Sequence, residues 1–388
     1  MNRKQILILL VLVAIIGGIG FYMHKRSQSE WAESAAPGSS KVLEFPINDV
    51  AQIEIRTAAG DLHLTKNNDI WVVKERGDYP ADFQRVSSLV RQLWEMRPVQ
   101  QMKIGPSQFS RLDLIEPGQG DKAAAAGSVI ELKSKEGKSL AKLIAGKQNF
   151  RKNETGASQF GPMPAGRYVL SPQSGKVALV NAFLQIDSEP RSWLKRDFVK
   201  IDSPATITMS GQTPARHWAL TRGDKQGDWK LADAPGNQEL DKTTVNSFQS
   251  LLASLNFIDV LPADAKPAQY GLDKPDLITV QDFDRFTFTL KIGRSTTEAY
   301  PVQVSVAADP VKQRTPKPDE KAEDKAKLDQ EFQDHLKQLE EKAATEKQYE
   351  KRIYLVPKST LDPFFKDRAE LLAKKPSPLP TPAAGKKR

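Results

Sequence analysis

A long stretch of this chain occurs twice, and this duplication constrains the fold more than any other feature of the sequence. The first copy runs from Leu62 to Pro117, and its order of strand patterns, turns and one helix pattern returns about 155–160 residues later. The landmarks that recur are a tryptophan on a strand, an aspartate that opens a helix, and an aspartate before a proline that ends a turn. They are Trp71, Asp82, Asp113 and Pro117 in the first copy, and Trp229, Asp241, Asp273 and Pro275 in the second. A chain of 388 residues has room for two such domains.

Each copy predicts an α+β domain, with an antiparallel sheet or meander and one amphipathic helix packed on one face. Apolar residues alternate with period two in the predicted strands, most regularly from Phe286 to Ile292. Apolar residues at helical spacing follow Asp82 and Asp241, so we expect both aspartates to be helix N-caps. The repeated tryptophans, Trp71 and Trp229, are more typical of core residues than of a ligand platform.

The predicted first repeat covers residues 42–197, and the second covers residues 198–372. At the end of the repeats, the pattern Arg352–Pro357 is expected to correspond to Arg167–Pro172. Asp113 and Asp273 are expected to occupy the same place in the two copies. An aspartate in a turn that ends in proline accepts backbone N–H bonds, which explains its repetition without catalysis.

The second copy contains a charged insertion, residues 309–351, that the first copy lacks. From Asp319 to Glu350 it would be roughly 45–50 Å long if it were helical throughout. A narrow apolar stripe recurs every three or four positions along it, at Leu328, Phe332, Leu336 and Leu339. Such a stripe is too thin for a globular core and resembles a coiled-coil seam. Two interpretations stay open: a solvated helix that folds back on its own domain, and an arm that binds a partner or pairs with itself.

The N-terminus predicts a membrane anchor. Residues 6–23 form an uncharged apolar run which, at about 1.5 Å per residue, nearly matches the ~30 Å hydrocarbon core of a bilayer. A cleaved signal peptide and a buried helix are the alternatives, but no small-residue cleavage site precedes the basic run at His24, and the segment is apolar on every side. We therefore expect residues 1–5 in the cytoplasm, a flexible tether at 27–41 and the body on the extracytoplasmic side of a bacterial inner membrane. The Pro/Lys-rich tail, 373–388, is expected to be disordered.

The sequence shows no catalytic, cofactor-binding or metal-binding motif. The chain has no cysteine, which excludes disulfides, thiolate metal sites, cysteine nucleophiles and a lipoprotein anchor. Its four histidines lack metal-ligand spacing. The formal net charge is +9, and much of the excess is spread along the chain. The basic residues that flank the apolar run and those at the C-terminus favour contact with lipid headgroups and a solvated tail over nucleic acid. We therefore expect no catalytic residues, no cofactor, no metal and no nucleic-acid partner.

Two motifs of the second copy carry a family resemblance. They are Tyr270-Gly271-Leu272-Asp273-Lys274-Pro275 and the strand Leu290-Lys291-Ile292-Gly293. With these motifs, the chain from about residue 42 to 372 resembles the bacterial domain-of-unknown-function family 4340 (DUF4340), once per copy. The first copy departs from the motif, with Ser110, Arg111 and Leu112 in place of Tyr-Gly-Leu. The resemblance implies a membrane-anchored envelope protein associated with ABC-type export systems, and it carries no catalytic residues over.

Three hypotheses for function follow. The first is an anchored, non-enzymatic accessory or scaffold protein that partners an ABC-type transport or envelope complex through its helical arm. The second is a binding module for an envelope polymer or exported substrate, in a cleft between the repeats. The third is an envelope enzyme, which would need a pocket that gathers acidic, histidine or serine side chains with perturbed pKa values.

Overall fold

A computed structural model describes residues 41–118, 126–150, 164–181, 184, 186–234, 238–316 and 320–373. The chain divides into two compact units, Met1–Lys195 and Arg196–Arg388. Each unit is built on one antiparallel sheet with few helices, so the structure is of the mixed α+β class.

The first unit contains a nine-stranded sheet and one α-helix among its described residues. Its elements are β1 (Gln52–Thr57), β2 (Gly60–Asn67), β3 (Ile70–Val73), β4 (Tyr79–Pro80), α1 (Phe83–Glu95), β5 (Pro98–Met102), β6 (Ser128–Lys133), β7 (Ser139–Phe150), β8 (Pro164–Ser171) and β9 (Lys176–Val180). The strand order is β4-β3-β2-β1-β6-β7-β8-β9-β5. Because β4 and β5 lie at opposite edges, helix α1 carries the chain from one edge of the sheet to the other.

The second unit contains an eight-stranded sheet. Its elements are β10 (Pro204–Ser210), β11 (His217–Thr221), β12 (Lys230–Leu231), α2 (Lys242–Ala253), β13 (Asp259–Val260), β14 (Asp276–Asp282), β15 (Phe286–Ile292), β16 (Ala299–Ala308), α3 (Ala322–Glu346), β17 (Tyr354–Pro357) and α4 (Lys358–Leu361). The strand order is β12-β11-β10-β14-β15-β16-β17-β13, and α2 again connects the two edges.

From β3 to β5 the strand order of the first sheet corresponds position by position to that of the second, and only β4 has no counterpart. This correspondence corrects one expectation from the sequence. The strand that occupies the place of β17 in the first sheet is β9, while β8 occupies the place of β16. The prediction that Arg352–Pro357 corresponds to Arg167–Pro172 is therefore wrong. Helix α3 thus lies between the strands that correspond to β8 and β9, which in the first unit are joined by the turn at residues 172–175.

Both connecting helices begin where the sequence predicts. The Asp82 carboxylate accepts hydrogen bonds from the backbone N–H groups of Gln84, at 2.9 Å, and Arg85, at 3.2 Å. The Asp241 carboxylate accepts from the Thr243 N–H at 3.1 Å. These bonds satisfy N–H groups that the first helical turn leaves without partners. The residues that the helices bury are Val86, Leu89, Val90 and Leu93 in α1, and Thr244, Val245, Phe248 and Leu252 in α2.

Alternating burial in the strands builds each core. In β1, Ile53 and Ile55 are fully buried, and in β15 Phe286, Phe288 and Leu290 are buried while the residues between them are not. Side chains of a strand point alternately to opposite faces, so each sheet presents one continuous apolar face. The period-two patterns read from the sequence are thereby confirmed.

The predicted N-terminus 1–5, apolar segment 6–23, most of the tether 27–41 and the tail beyond residue 373 lie outside the described residues. Among the helices that the structure describes, none is both long enough and apolar enough to cross a membrane.

Candidate functional site

The turn before β14 is built around one left-handed glycine. A 3-10 helix, Pro267–Tyr270, ends at Gly271, whose φ is +75°. In this conformation the Leu272 N–H donates to the Pro267 carbonyl oxygen at 3.1 Å, and the Leu272 side chain is buried. A positive φ is available to glycine at little cost, which explains why Gly271 stands between Tyr270 and Leu272.

A second glycine lets the end of β15 pack on this turn. The Arg294 N–H donates to the Tyr270 carbonyl oxygen at 2.7 Å. A Cβ atom added to Gly293 would lie 2.2 Å from that same oxygen, and one added to Gly271 would lie 2.9 Å from the Arg294 nitrogen. The two sequence motifs, which lie about 20 residues apart, are therefore the two halves of one backbone contact, in which Gly271 supplies the left-handed backbone and Gly293 leaves no room for a side chain.

This contact forms one side of a cleft of about 560 Å³ within the second unit. That volume falls in the usual range of small-molecule sites. Motif residues and residues that the sequence analysis did not single out share its lining, which is formed by Gln212, Arg216, Gly271, Asp273, Lys274, Asp276, Gly293, Arg294, Ser295, Tyr300 and Phe365.

The far side of the cleft is an aromatic pair held by ionic groups. The rings of Tyr300 and Phe365 stack with centroids 5.1 Å apart, and the Arg216 guanidinium lies 5.7 Å from the Phe365 ring centroid. The Tyr300 hydroxyl donates to the Asp362 carboxylate at 2.7 Å. Burial, and then this hydrogen bond, raises the pKa of Tyr300 to about 12, so the phenol stays neutral at physiological pH.

The first unit has a corresponding turn, in which the left-handed residue is an aspartate and not a glycine. A 3-10 helix, Pro106–Leu112, ends at Asp113, whose φ is +56°. A Cβ atom added to Gly146 would lie 2.1 Å from the Leu112 carbonyl oxygen, just as one added to Gly293 would lie 2.2 Å from the Tyr270 carbonyl oxygen. Asp113 therefore occupies the place of Gly271, so the expected correspondences of Asp113 with Asp273 and of Arg111 with Gly271 are both wrong.

The environment of this first-unit turn differs from that of the cleft. Leu114, in the place of Leu272, packs in a core cluster with Val129 and Ile144. Glu116, two residues later and in the place of Lys274, pairs with Lys142 at 2.6 Å and Arg56 at 3.4 Å. The same backbone arrangement thus carries paired charges in the first unit and, at Lys274, an exposed cation in the second.

One protein-family model, described as "Domain of unknown function (DUF4340)", matches residues 71–275. The chain belongs to the DUF4340 family. The match is a single one that begins at Trp71 and ends at Pro275, so it crosses from the first unit into the second. Neither the curated proteins nor the solved structures contain a match to this chain.

The other DUF4340 landmarks predicted from the sequence have structural places. Trp71 and Trp229 are buried. Asp82 and Asp241 cap helices, and Pro117 and Pro275 follow the two turns. The expectation that Asp113 and Asp273 accept backbone N–H bonds is wrong, because neither carboxylate does so within the described residues; Asp113 is instead a left-handed residue, and Asp273 is exposed on the cleft.

The charged insertion of this DUF4340 protein forms helix α3, which is shorter than the predicted span from Asp319 to Glu350. Its C-terminal half lies against its own unit. The Lys342 ammonium lies 3.7 Å from the Asp282 carboxylate and 4.7 Å from the Phe286 ring centroid. Near the end of the insertion, Glu350 accepts a hydrogen bond from the Val306 N–H at 2.9 Å. This placement agrees with the interpretation in which the helix folds back on its own domain.

The N-terminal half of α3 is braced by the segment that precedes it. The Arg314 guanidinium donates to the Asp329 carboxylate at 2.7 and 2.8 Å, and both of its terminal nitrogens also bind the Glu320 carboxylate. These carboxylates raise the pKa of Arg314. Within the apolar stripe, Phe332, Leu336 and Leu339 are half-buried, while Leu328 is 36% exposed. Ion pairs therefore hold the N-terminal half of α3 to Arg314, and Leu328 on this half stays exposed to solvent.

Outside the cleft, metal-binding groups and the buried Arg222 are the remaining candidates for chemistry. Within the described ranges, no group of three or more histidine or acidic side chains is placed to hold a metal ion. Arg222 is buried, but its Nε donates to the Pro204 carbonyl oxygen at 2.7 Å, and its guanidinium lies 4.7 Å from the Trp229 ring centroid. These contacts give Arg222 a packing role.

Proposed function

We propose that this DUF4340 protein is a non-catalytic accessory or scaffold protein that binds a partner protein through the α3 insertion. The expected partner is a subunit of an ABC-type transport system or another envelope complex. The protein would be anchored in a bacterial inner membrane by residues 6–23, with its body on the extracytoplasmic side; the uncharged apolar run in the sequence supports this part of the proposal.

The insertion itself is the observation that carries the proposal. In the first sheet, residues 172–175 are enough to join β8 to β9, whereas the corresponding strands of the second sheet are joined through 25 residues of helix and their flanks. A helix of that length extends about 37 Å, far more than the closure of a hairpin requires. Its C-terminal half packs on its own unit, whereas its N-terminal half is held by Arg314 and leaves Leu328 exposed, so that exposed surface supports a role in binding.

The exposed apolar residues of the insertion support a protein partner. Val311 is 48% exposed and Leu328 is 36% exposed, on a segment that is otherwise strongly charged. Apolar residues surrounded by charged ones are typical of a small interface with an apolar centre and a polar rim. The stripe that continues through Phe332 and Leu336 is the seam on which a partner helix would pack, in the manner of a coiled coil.

We also propose that the two units are tandem copies of one domain. Their matching strand orders support it, and so does the shared turn, in which a left-handed residue precedes a buried leucine and a glycine approaches the backbone of the turn. In this view the second copy gained the α3 insertion and with it the binding role. A binding module for an envelope polymer or exported substrate is the second candidate function, and the cleft of the second unit favours it.

The test is a purification of the tagged full-length protein from its own membranes in mild detergent, with co-purifying proteins identified by mass spectrometry. The variant is Val311→Lys with Leu328→Lys, and the matched control is Ile70→Lys with Val99→Lys, which places the same changes on exposed apolar residues of the first unit. We expect envelope-complex subunits in a fixed ratio with the native protein and the control, and their loss from the variant. Recovery of the protein alone, or equal recovery of partners with the variant, would contradict the proposal.

A further inference from the structure

The cleft of the second unit carries two cations that the fold does not use. Lys274 and Arg294 line it and are exposed, and within the described residues neither has an ion-pair partner. Both are placed by the glycine contact, because Lys274 lies in the turn after Gly271 and Arg294 directly follows Gly293. The backbone contact between the two motifs therefore also brings two cationic side chains to one cleft.

Some of the other polar groups of the cleft hydrogen-bond within the protein, and others are left to bind a ligand. The Asp276 carboxylate accepts the Gln212 N–H at 2.7 Å, and the Gln212 side-chain amide donates to the Lys274 carbonyl oxygen at 2.7 Å. The Asp273 carboxylate and the Gln212 side-chain oxygen are left as acceptors. Three cationic side chains and two carboxylates line the cleft, but the Arg216 guanidinium pairs with the Asp367 carboxylate at 3.8 Å, so Lys274 and Arg294 are the cations left for a ligand.

These features select among anionic ligands. Two free cations beside two carboxylates suit a ligand with a single carboxylate better than a phosphate dianion, which the carboxylates of the lining would repel. The Asp273 carboxylate and the Gln212 side-chain oxygen can accept hydrogen bonds, so they favour a ligand that also has N–H donors. The aromatic face is already occupied, since Phe365 stacks on Tyr300 and carries the Arg216 guanidinium, so a sugar ring has no free platform there.

We propose that this cleft binds the free C-terminal carboxylate of a peptide or protein, with Lys274 and Arg294 on the carboxylate and with Asp273 and Gln212 accepting backbone N–H groups. Capture of a C-terminal carboxylate is an established mode of peptide recognition, and in this cleft two cationic side chains would act where backbone N–H groups act in a nest. This binding goes beyond the accessory role proposed above and does not involve α3.

The experiment presents the full-length protein, labelled with a fluorophore, to an array of random tripeptides attached through their N-termini. One array ends in free carboxylates and a second, of identical sequences, ends in amides. The cleft variants are Lys274→Gln and Arg294→Gln. The matched control is Lys266→Gln, an exposed lysine of the same region that does not line the cleft. Thermal unfolding of each variant verifies that the fold is unchanged.

We expect a subset of free-acid tripeptides to bind at least tenfold more strongly than their amides. Each cleft variant should weaken that binding at least tenfold, and the control less than twofold. Absence of any preference for the free acids, or an equal loss in Lys266→Gln, would overturn the proposal. Displacement of the bound acids by inorganic phosphate at lower concentration than by acetate would also overturn it, because the cleft would then prefer a phosphate.

Discussion

The contact between Gly293 and the turn that ends at Tyr270 predicts a large effect for one added methyl group. In Gly293→Ala the new Cβ would lie 2.2 Å from the Tyr270 carbonyl oxygen and 3.2 Å from the Leu272 Cγ. Both neighbours are held in place, since the oxygen accepts the Arg294 N–H and Leu272 is buried. The backbone must therefore move, and we expect a loss of about 3 kcal/mol, at the upper end of the usual cost of overpacking.

A matched substitution separates this clash from the general effect of replacing glycine. A Cβ atom added to Gly223, in the same unit, would meet nothing within 4 Å. Gly223→Ala should leave stability unchanged or raise it by about 0.4–1 kcal/mol, because alanine restricts the unfolded chain. Differential scanning calorimetry of the full-length protein is the assay. At about 2–4 °C per kcal/mol for a unit of this size, Gly293→Ala should lower the Tm of the second unit by roughly 6–12 °C. Equal Tm values for the two variants would refute this explanation of the family motif.

Three further predictions test other parts of the structure. Asp113→Val should destabilise the first unit by about 1–2 kcal/mol, whereas Asp113→Gly should be neutral or stabilising, because the residue is left-handed; denaturant unfolding followed by tryptophan fluorescence measures both. Burial raises the pKa of Glu346 above its usual 4.5, so the folded state holds this proton more tightly than the unfolded state does. The resulting contribution to the free energy of unfolding is fully present below pH 4.5 and is lost as pH rises through the raised pKa. Glu346→Gln should therefore raise the Tm at pH 7 and flatten its fall between acidic and neutral pH, and an unchanged pH profile would contradict the assignment. Arg222→Met should cost about 2–3 kcal/mol in urea unfolding, since it leaves the buried Pro204 carbonyl oxygen without its donor; a cost below 1 kcal/mol would show that the carbonyl finds another partner.

The parts of the fold that the sequence predicted are those set by local pattern. A short stretch of sequence is enough to predict the capping aspartates, Asp82 and Asp241, and the alternating strand from Phe286 to Ile292. Local rules suffice there, because a cap acts on the next turn of helix and a strand alternates by geometry.

The errors have two physical causes. The shared residue type favours pairing Asp113 with Asp273, but aspartate tolerates left-handed backbone and can replace a glycine such as Gly271. The sequence pattern favours pairing β17 with β8, because the long insertion before β17 hides its equivalence with β9, which follows β8 after a short turn.

The cleft lies beyond sequence reasoning for a third reason. Arg216, Tyr300 and Phe365 come from segments far apart in the chain, and no spacing links them. Only the sheet brings them to the motif turn. The sequence could have singled out Lys274 and Arg294, since each lies in or directly beside a family motif. That the contact between the two motifs brings both side chains to one cleft is seen only in the folded backbone.

The most direct test of the proposed function is photo-crosslinking from the insertion in living cells. A photoreactive phenylalanine analogue at Leu328 is compared with one at Lys337, which is also exposed and lies nine residues along α3, on the opposite face of the helix. We predict that Leu328 yields a discrete adduct with an envelope-complex subunit and that Lys337 does not. No adduct from Leu328, or the same adducts from both positions, would contradict the role of the insertion as a partner-binding arm.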